Sequence, residues 1–186
     1  MKKLMIAFCV LAAPSLYGQS LQKNWEADLN TSLTSFEQCS EDVGLVSTCH
    51  QFSGESLKTV YGINDFYAKE QNRYMLIDEI YTYLESGNRW TLLGKAYDQK
   101  ALEDGQKHAN AGKAVVAVKK VKADDYGHMA LILPGELSPS GSWNLRVPNS
   151  ASFFTHQKEK SYVAKKLSYA FNPADQGYVL LYVRNY

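Results

Sequence analysis

The spacing of apolar residues changes near the middle of the chain. Up to Gly112 they recur every three or four positions; from Lys113 onward they alternate or run together. Trp25, Leu29, Leu33 and Phe36 predict a helix over 21–38, followed by a small-residue loop around Gly44. Phe52, Leu57, Val60 and Tyr61 share one face of a helix predicted over Cys49–Tyr61, with Gly62 as its stop. A third helix is predicted over 71–86 from Leu76, Ile77, Ile80, Tyr83 and Leu84, ended by Gly87-Asn88. Arg89–Gly94 reads as a short extended segment. Asp98 is placed to cap a helix reaching about Ala111, whose inner positions Leu102, Gly105 and Ala109 are mostly small and so predict close packing on a sheet.

The second half reads as strands: Lys113–Lys120, Gly127–Pro134, Trp143–Phe154 with a break at Pro148, Tyr162–Phe171 and Gly177–Asn185. The first two flank a charged turn, Val121–Tyr126, and predict an antiparallel hairpin. Gly135–Ser142, with its glycines, proline and serines, predicts a loop. Alternation along Gly127–Pro134 sends His128, Ala130 and Ile132 to one face and Met129, Leu131 and Leu133 to the other. Both faces can bury apolar surface, so this strand is expected near the centre of its sheet. Helices first and strands second predict an α+β fold, N-terminal helices packed on a central antiparallel β-sheet. Residues 19–186 are expected to form a single domain.

Composition changes this picture at the N-terminus. Lys2 and Lys3 precede the apolar run Leu4–Ala13, which Pro14–Gly18 breaks; this is the pattern of a cleavable signal peptide over 1–18, and it predicts a secreted or periplasmic protein. The run is too short to span a membrane as a helix. Losing its two lysines takes the formal charge of +1 to −1, which gives no handle for nucleic acid or for stable association with an anionic membrane. The 13 tyrosines suit an amphipathic ligand or an exported β-rich surface.

Two cysteines follow the signal segment. In an oxidising compartment Cys39 and Cys49 are expected to pair, closing a short loop worth about 2–3 kcal/mol. The alternative is that Cys49 is a working thiol. It opens a predicted helix, where free backbone N–H groups and the positive dipole end favour a thiolate. A thiol nucleophile needs a base. His50 is a poor one for Cys49, because adjacent helical residues point about 100° apart. His156 sits in a polar stretch, and His108 reads as structural or exposed. His128, at the mouth of the central strand, is either a satisfied core histidine or the base. No histidine or carboxylate stands at metal-ligand spacing from His128, and the cysteines form no Cys-x-x-Cys pair, so neither metal nor cofactor is expected.

The stretch Cys49-His50-Gln51-Phe52, with Leu57 and Tyr61-Gly62-Ile63, resembles the nucleophile helix of the NlpC/P60 and CHAP group of papain-like Cys-His cell-wall hydrolases. Gly112-Lys113-Ala114-Val115-Val116-Ala117 and Gly127-His128-Met129-Ala130-Leu131-Ile132-Leu133-Pro134-Gly135 resemble the following two strands, the second of which opens with Gly-His in that group. The resemblance runs from about Cys49 to Ser152. It implies a papain-like core and a peptidoglycan hydrolase that cuts amides of stem peptides or cross-links. Cys49 would be the nucleophile and His128 the base. The third residue would be polar and on the next strand; Asn149 is the candidate, Asn144 the second. The sequence departs from the group's pattern at His50, where a small or amide residue is usual.

Tyr61, Tyr126 and Trp143 are candidates to line a substrate groove, with Tyr67 nearby in sequence. Peptidoglycan peptides are the expected partner, with a small exported inhibitor as a second candidate. The same chemistry would serve an interbacterial amidase toxin. The rival expectation is a non-catalytic exported binding or envelope module stapled by Cys39–Cys49.

Overall fold

The computed structural model describes residues 21–40, 48–87, 89–120 and 127–186. The expected signal peptide, most of the loop after Cys39, Asn88 and the turn Val121–Tyr126 lie outside these residues.

The described chain is α+β. Helices α1 (Trp25–Gln38) and α2 (Gln51–Tyr61) come first, with a short 3-10 turn, Thr48–His50, leading into α2. A small ladder of β1 (Tyr67–Ala68) and β2 (Arg73–Tyr74) precedes α3 (Ile77–Glu85). Then follow β3 (Trp90–Lys95), α4 (Gln99–Asn110), β4 (Val115–Lys119) and β5 (His128–Ile132). Next are β6 (Ser138–Ser140), β7 (Leu145–Val147), β8 (Asn149–Ser152), β9 (Tyr162–Lys166) and β10 (Val179–Arg184).

Six strands form one antiparallel sheet in the order β3-β10-β4-β5-β8-β9. β5 therefore lies inside the sheet, as its two apolar faces predict. Met129, Leu131 and Leu133 pack with α1, α2 and α3; Ala130 and Ile132 pack with the α4 side. The helices thus divide, three on one face and α4 on the other. Gly105 explains how α4 comes so close: a Cβ there would stand 3.1 Å from Leu181 Cδ2. Gly62 ends α2 at φ 67°, a left-handed conformation that costs glycine little.

Several element boundaries differ from the sequence reading. Residues 72–76 are not helical: a 3-10 turn ends at Gln71, Arg73–Tyr74 pairs with Tyr67–Ala68, and α3 begins at Ile77. There the Glu79 carboxylate takes the Leu76 N–H and both terminal nitrogens of Arg73. The expected loop at 135–142 contains strand β6, which pairs with β7. Pro148 is more than a break. It separates β7 from β8, and the two belong to different sheets, since a residue without an N–H cannot continue the ladder. After Lys166 the last predicted strand but one turns into a 3-10 turn, Leu167–Tyr169.

Candidate active site

A cavity of about 630 Å³ lies at the end of the sheet where β5 begins and β4 and β8 finish. Its floor carries His128 and Lys119, its walls Phe154 and Phe171, and one side is formed by His50 and Ser53 at the start of α2. Phe153 belongs to the core of α1 and α2 and Phe154 packs against the α4-side core; both line the cavity.

His128 is held on three sides. Its ring stacks on Phe154 at 4.1 Å between centroids and meets Phe171 edge-on at 5.5 Å. Its Nε2 lies 2.6 Å from Ser152 Oγ. Ser152 is 1% exposed, and its hydroxyl reaches the Met129 carbonyl at 3.2 Å. His128 Nδ1 has no hydrogen-bond partner among the described residues and is not a sealed, unsatisfied atom, and the residue lines the cavity. Burial, and after it the Lys119 ammonium, lower the imidazole pKa to about 3. The ring is half-buried, and His128 is neutral at pH 7.

Cys49 does not reach this cavity. It is fully buried in the core of α1 and α2 and is bonded to Cys39, the residue that ends α1, with a Cα–Cα distance of 5.8 Å. The Cys39–Cys49 pairing expected from the sequence is thus present. Ser53 lies four residues after Cys49, one helical turn on, and is in the cavity wall; the cysteine stands behind that wall.

The other site expectations fare differently. Asn149 is at the far end of β5 from His128. Its Nδ2 donates to the Pro134 carbonyl at 2.9 Å, and its backbone N–H donates to Gln106 Oε1. It is a fastener of the strand ends and not the partner of His128. Asn144 adopts φ 54° in the turn between β6 and β7. Tyr61 is fully buried, and its hydroxyl donates to the Ile132 carbonyl at 2.9 Å, so it braces α2 on β5 and does not line the cavity. Trp143 is 4% exposed within the α4-side core and is absent from the cavity wall. Tyr126 lies outside the described residues. Tyr67 belongs to the small β1–β2 ladder, bonded to Asn72.

The sequence reading missed Ser152, Ser53 and the Lys119–Asp175 ion pair, whose atoms are 3.2 Å apart. A signal for Ser152 existed. Ser150 and Ser152 alternate with Ala151, and a serine every second residue in a buried strand is unusual unless each hydroxyl has work to do. Ser150 meets Tyr162 and the Lys165 carbonyl; Ser152 meets His128. Among the described residues no group of three or more His, Cys, Asp or Glu is placed to hold a metal ion.

No family model and no curated protein matches the chain.

Proposed function

We propose that the chain is an exported cysteine hydrolase that cleaves amide bonds of peptidoglycan peptides, with Cys49 as nucleophile and His128 as base. One observation carries the reading: a neutral imidazole, anchored through Nε2 and with an unpartnered Nδ1, lines a cavity whose wall is the start of the Cys49 helix. The resemblance of the Cys49 and Gly127-His128 stretches to the NlpC/P60 and CHAP group supplies the substrate class. The export part rests on Lys2, Lys3 and the short apolar run behind them, and the Cys39–Cys49 disulfide agrees with it. No described helix is long and apolar enough to cross a membrane.

The working form is the reduced one, with the Cys49 thiol released from Cys39 and turned out of the α1–α2 core into the cavity. A dithiol donor gives two electrons and two protons to the Cys39–Cys49 bond and becomes a disulfide itself. His128 Nδ1 then takes the Cys49 thiol proton, and the thiolate attacks the scissile carbonyl. The C–N bond breaks as the imidazolium protonates the leaving amine, giving a thioester. Water, deprotonated by His128, releases the acid and restores the thiol.

The disulfide favours a second reading, in which the cavity binds a cell-wall peptide without cleaving it and Cys39–Cys49 is a staple. Digestion of purified sacculi by the reduced protein, read by mass spectrometry of released muropeptides, separates the two. Wild type is expected to give new amide-cleavage fragments that Cys49→Ala and His128→Ala do not. Sacculus binding without fragments, by a protein with a free and alkylatable Cys49, would establish the binding module instead.

A further inference from the structure

Ser152 is buried, and its hydroxyl meets the ring of a histidine that lines the cavity. We propose that Ser152 is the positioning residue of His128, a hydroxyl that fixes the imidazole as its Nε2–H tautomer and so leaves Nδ1 as the basic nitrogen in the cavity. This deepens the hydrolase reading and, as a statement about catalysis, rests on it.

Counting protons assigns the tautomer. A serine hydroxyl has one hydrogen to give and two lone pairs. The Met129 carbonyl has no hydrogen, so in the contact at 3.2 Å the serine must be the donor. Its proton is then spent, and toward His128 Nε2 at 2.6 Å it can only accept. The hydrogen between them belongs to the imidazole. A neutral ring with its proton on Nε2 has a lone pair on Nδ1, the nitrogen without a protein partner among the described residues. The backbone carbonyl of the residue next to His128 thus selects the tautomer through one serine.

Position supports the assignment. Ser152 is opposite Ala130 on the β5–β8 ladder, two residues along from His128 on the same face, and is 1% exposed. Phe154 and Phe171 stop the ring from turning over. Asn149, the residue expected in this role, is fastened to Pro134 instead.

The test is the ¹⁵N NMR spectrum of the His128 ring in the mature protein at neutral pH, for wild type, Ser152→Ala, Ser152→Thr and Ser150→Ala. Ser150 is a fully buried serine on the same strand whose hydroxyl serves Tyr162 and Lys165; its loss reports a purely structural effect. Wild type, Ser152→Thr and Ser150→Ala are expected to show a single tautomer with the proton on Nε2. Ser152→Ala is expected to show a mixture or the Nδ1–H form. On sacculi, Ser152→Ala should lose at least about tenfold in kcat with little change in KM, and Ser152→Thr should recover most of it. A wild-type proton on Nδ1, or a Ser152→Ala ring with an unchanged tautomer, would overturn the assignment. Inactive wild type with the expected tautomer pattern would sink the hydrolase reading and leave the tautomer assignment standing.

Discussion

Lys119 lies directly opposite His128 on the β4–β5 ladder, and both line the cavity. Side chains paired this way share a face of the sheet. A lysine beside a histidine is an unfavourable pair if both are charged. Lys119 is ion-paired with Asp175 at 3.2 Å. Burial and this ammonium together hold His128 neutral.

A pH dependence follows. The unfolded chain takes up the His128 proton near pH 6.5, the folded one only near pH 3. Between these values the unfolded state binds the extra proton, so stability is lost as pH falls, by up to roughly 1.4 kcal/mol per pH unit. Glu79, whose carboxyl pKa the Arg73 guanidinium lowers, adds in the same direction at the acid end. Urea denaturation between pH 4 and pH 7 should give His128→Gln a shallower decline than wild type. Parallel profiles would mean that His128 titrates normally.

Tyr61→Phe is expected to cost about 1–2 kcal/mol, because it leaves the buried Ile132 carbonyl without the phenol donor. Any binding of peptidoglycan fragments under the proposed function should be unchanged, since the side chain is sealed under α2. Weaker binding at equal fold stability would restore Tyr61 to the substrate groove.

Gly94 has φ 148° at the bulge where β3 meets β10, and a Cβ there would stand 2.9 Å from the Ala101 Cβ. Gly94→Ala combines backbone strain with a clash between β3 and α4, and should destabilise by about 1–3 kcal/mol. Gly141 is the control, since a Cβ added there would meet nothing within 4 Å; Gly141→Ala is expected to stay within about 0.5 kcal/mol of wild type. Thermal or urea unfolding of the two variants reads the difference.

Asn149→Ala should cost on the order of 1 kcal/mol through the lost bond to Pro134, while the His128 NMR signals stay as in wild type. A shifted His128 tautomer in this variant would place Asn149 back beside the imidazole.

The helices and the central hairpin could be read from sequence because their signals are local. Leu29 and Phe36 carry the buried stripe of α1, and the His128–Leu133 alternation assigns each side chain to its face. The position of His128 at the sheet's end was legible for the same reason, as a polar group at the start of a doubly apolar strand. The partner of His128 was not legible, because it depends on the β5–β8 register. Reading forward from Pro148, Asn149 is the first polar residue met, but the ladder sets Ile132 against Ser150 and Ala130 against Ser152 and carries Asn149 away from the cavity. Tyr61 and Trp143 misled for a different reason. An aromatic at the end of a helix or in a turn looks the same in sequence whether it faces solvent or the core.

The central claim is that Cys49 and His128 act on one another. With the protein fully reduced by a dithiol, the rate of iodoacetamide alkylation at Cys49 can be followed by peptide mass spectrometry, with Cys39 in the same molecule as reference. Cys49 is expected to react faster than Cys39, and His128→Ala should slow Cys49 by about tenfold or more while leaving Cys39 unchanged. A Cys49 no faster than Cys39 and indifferent to His128 would contradict the claim and leave the Cys39–Cys49 disulfide as a staple.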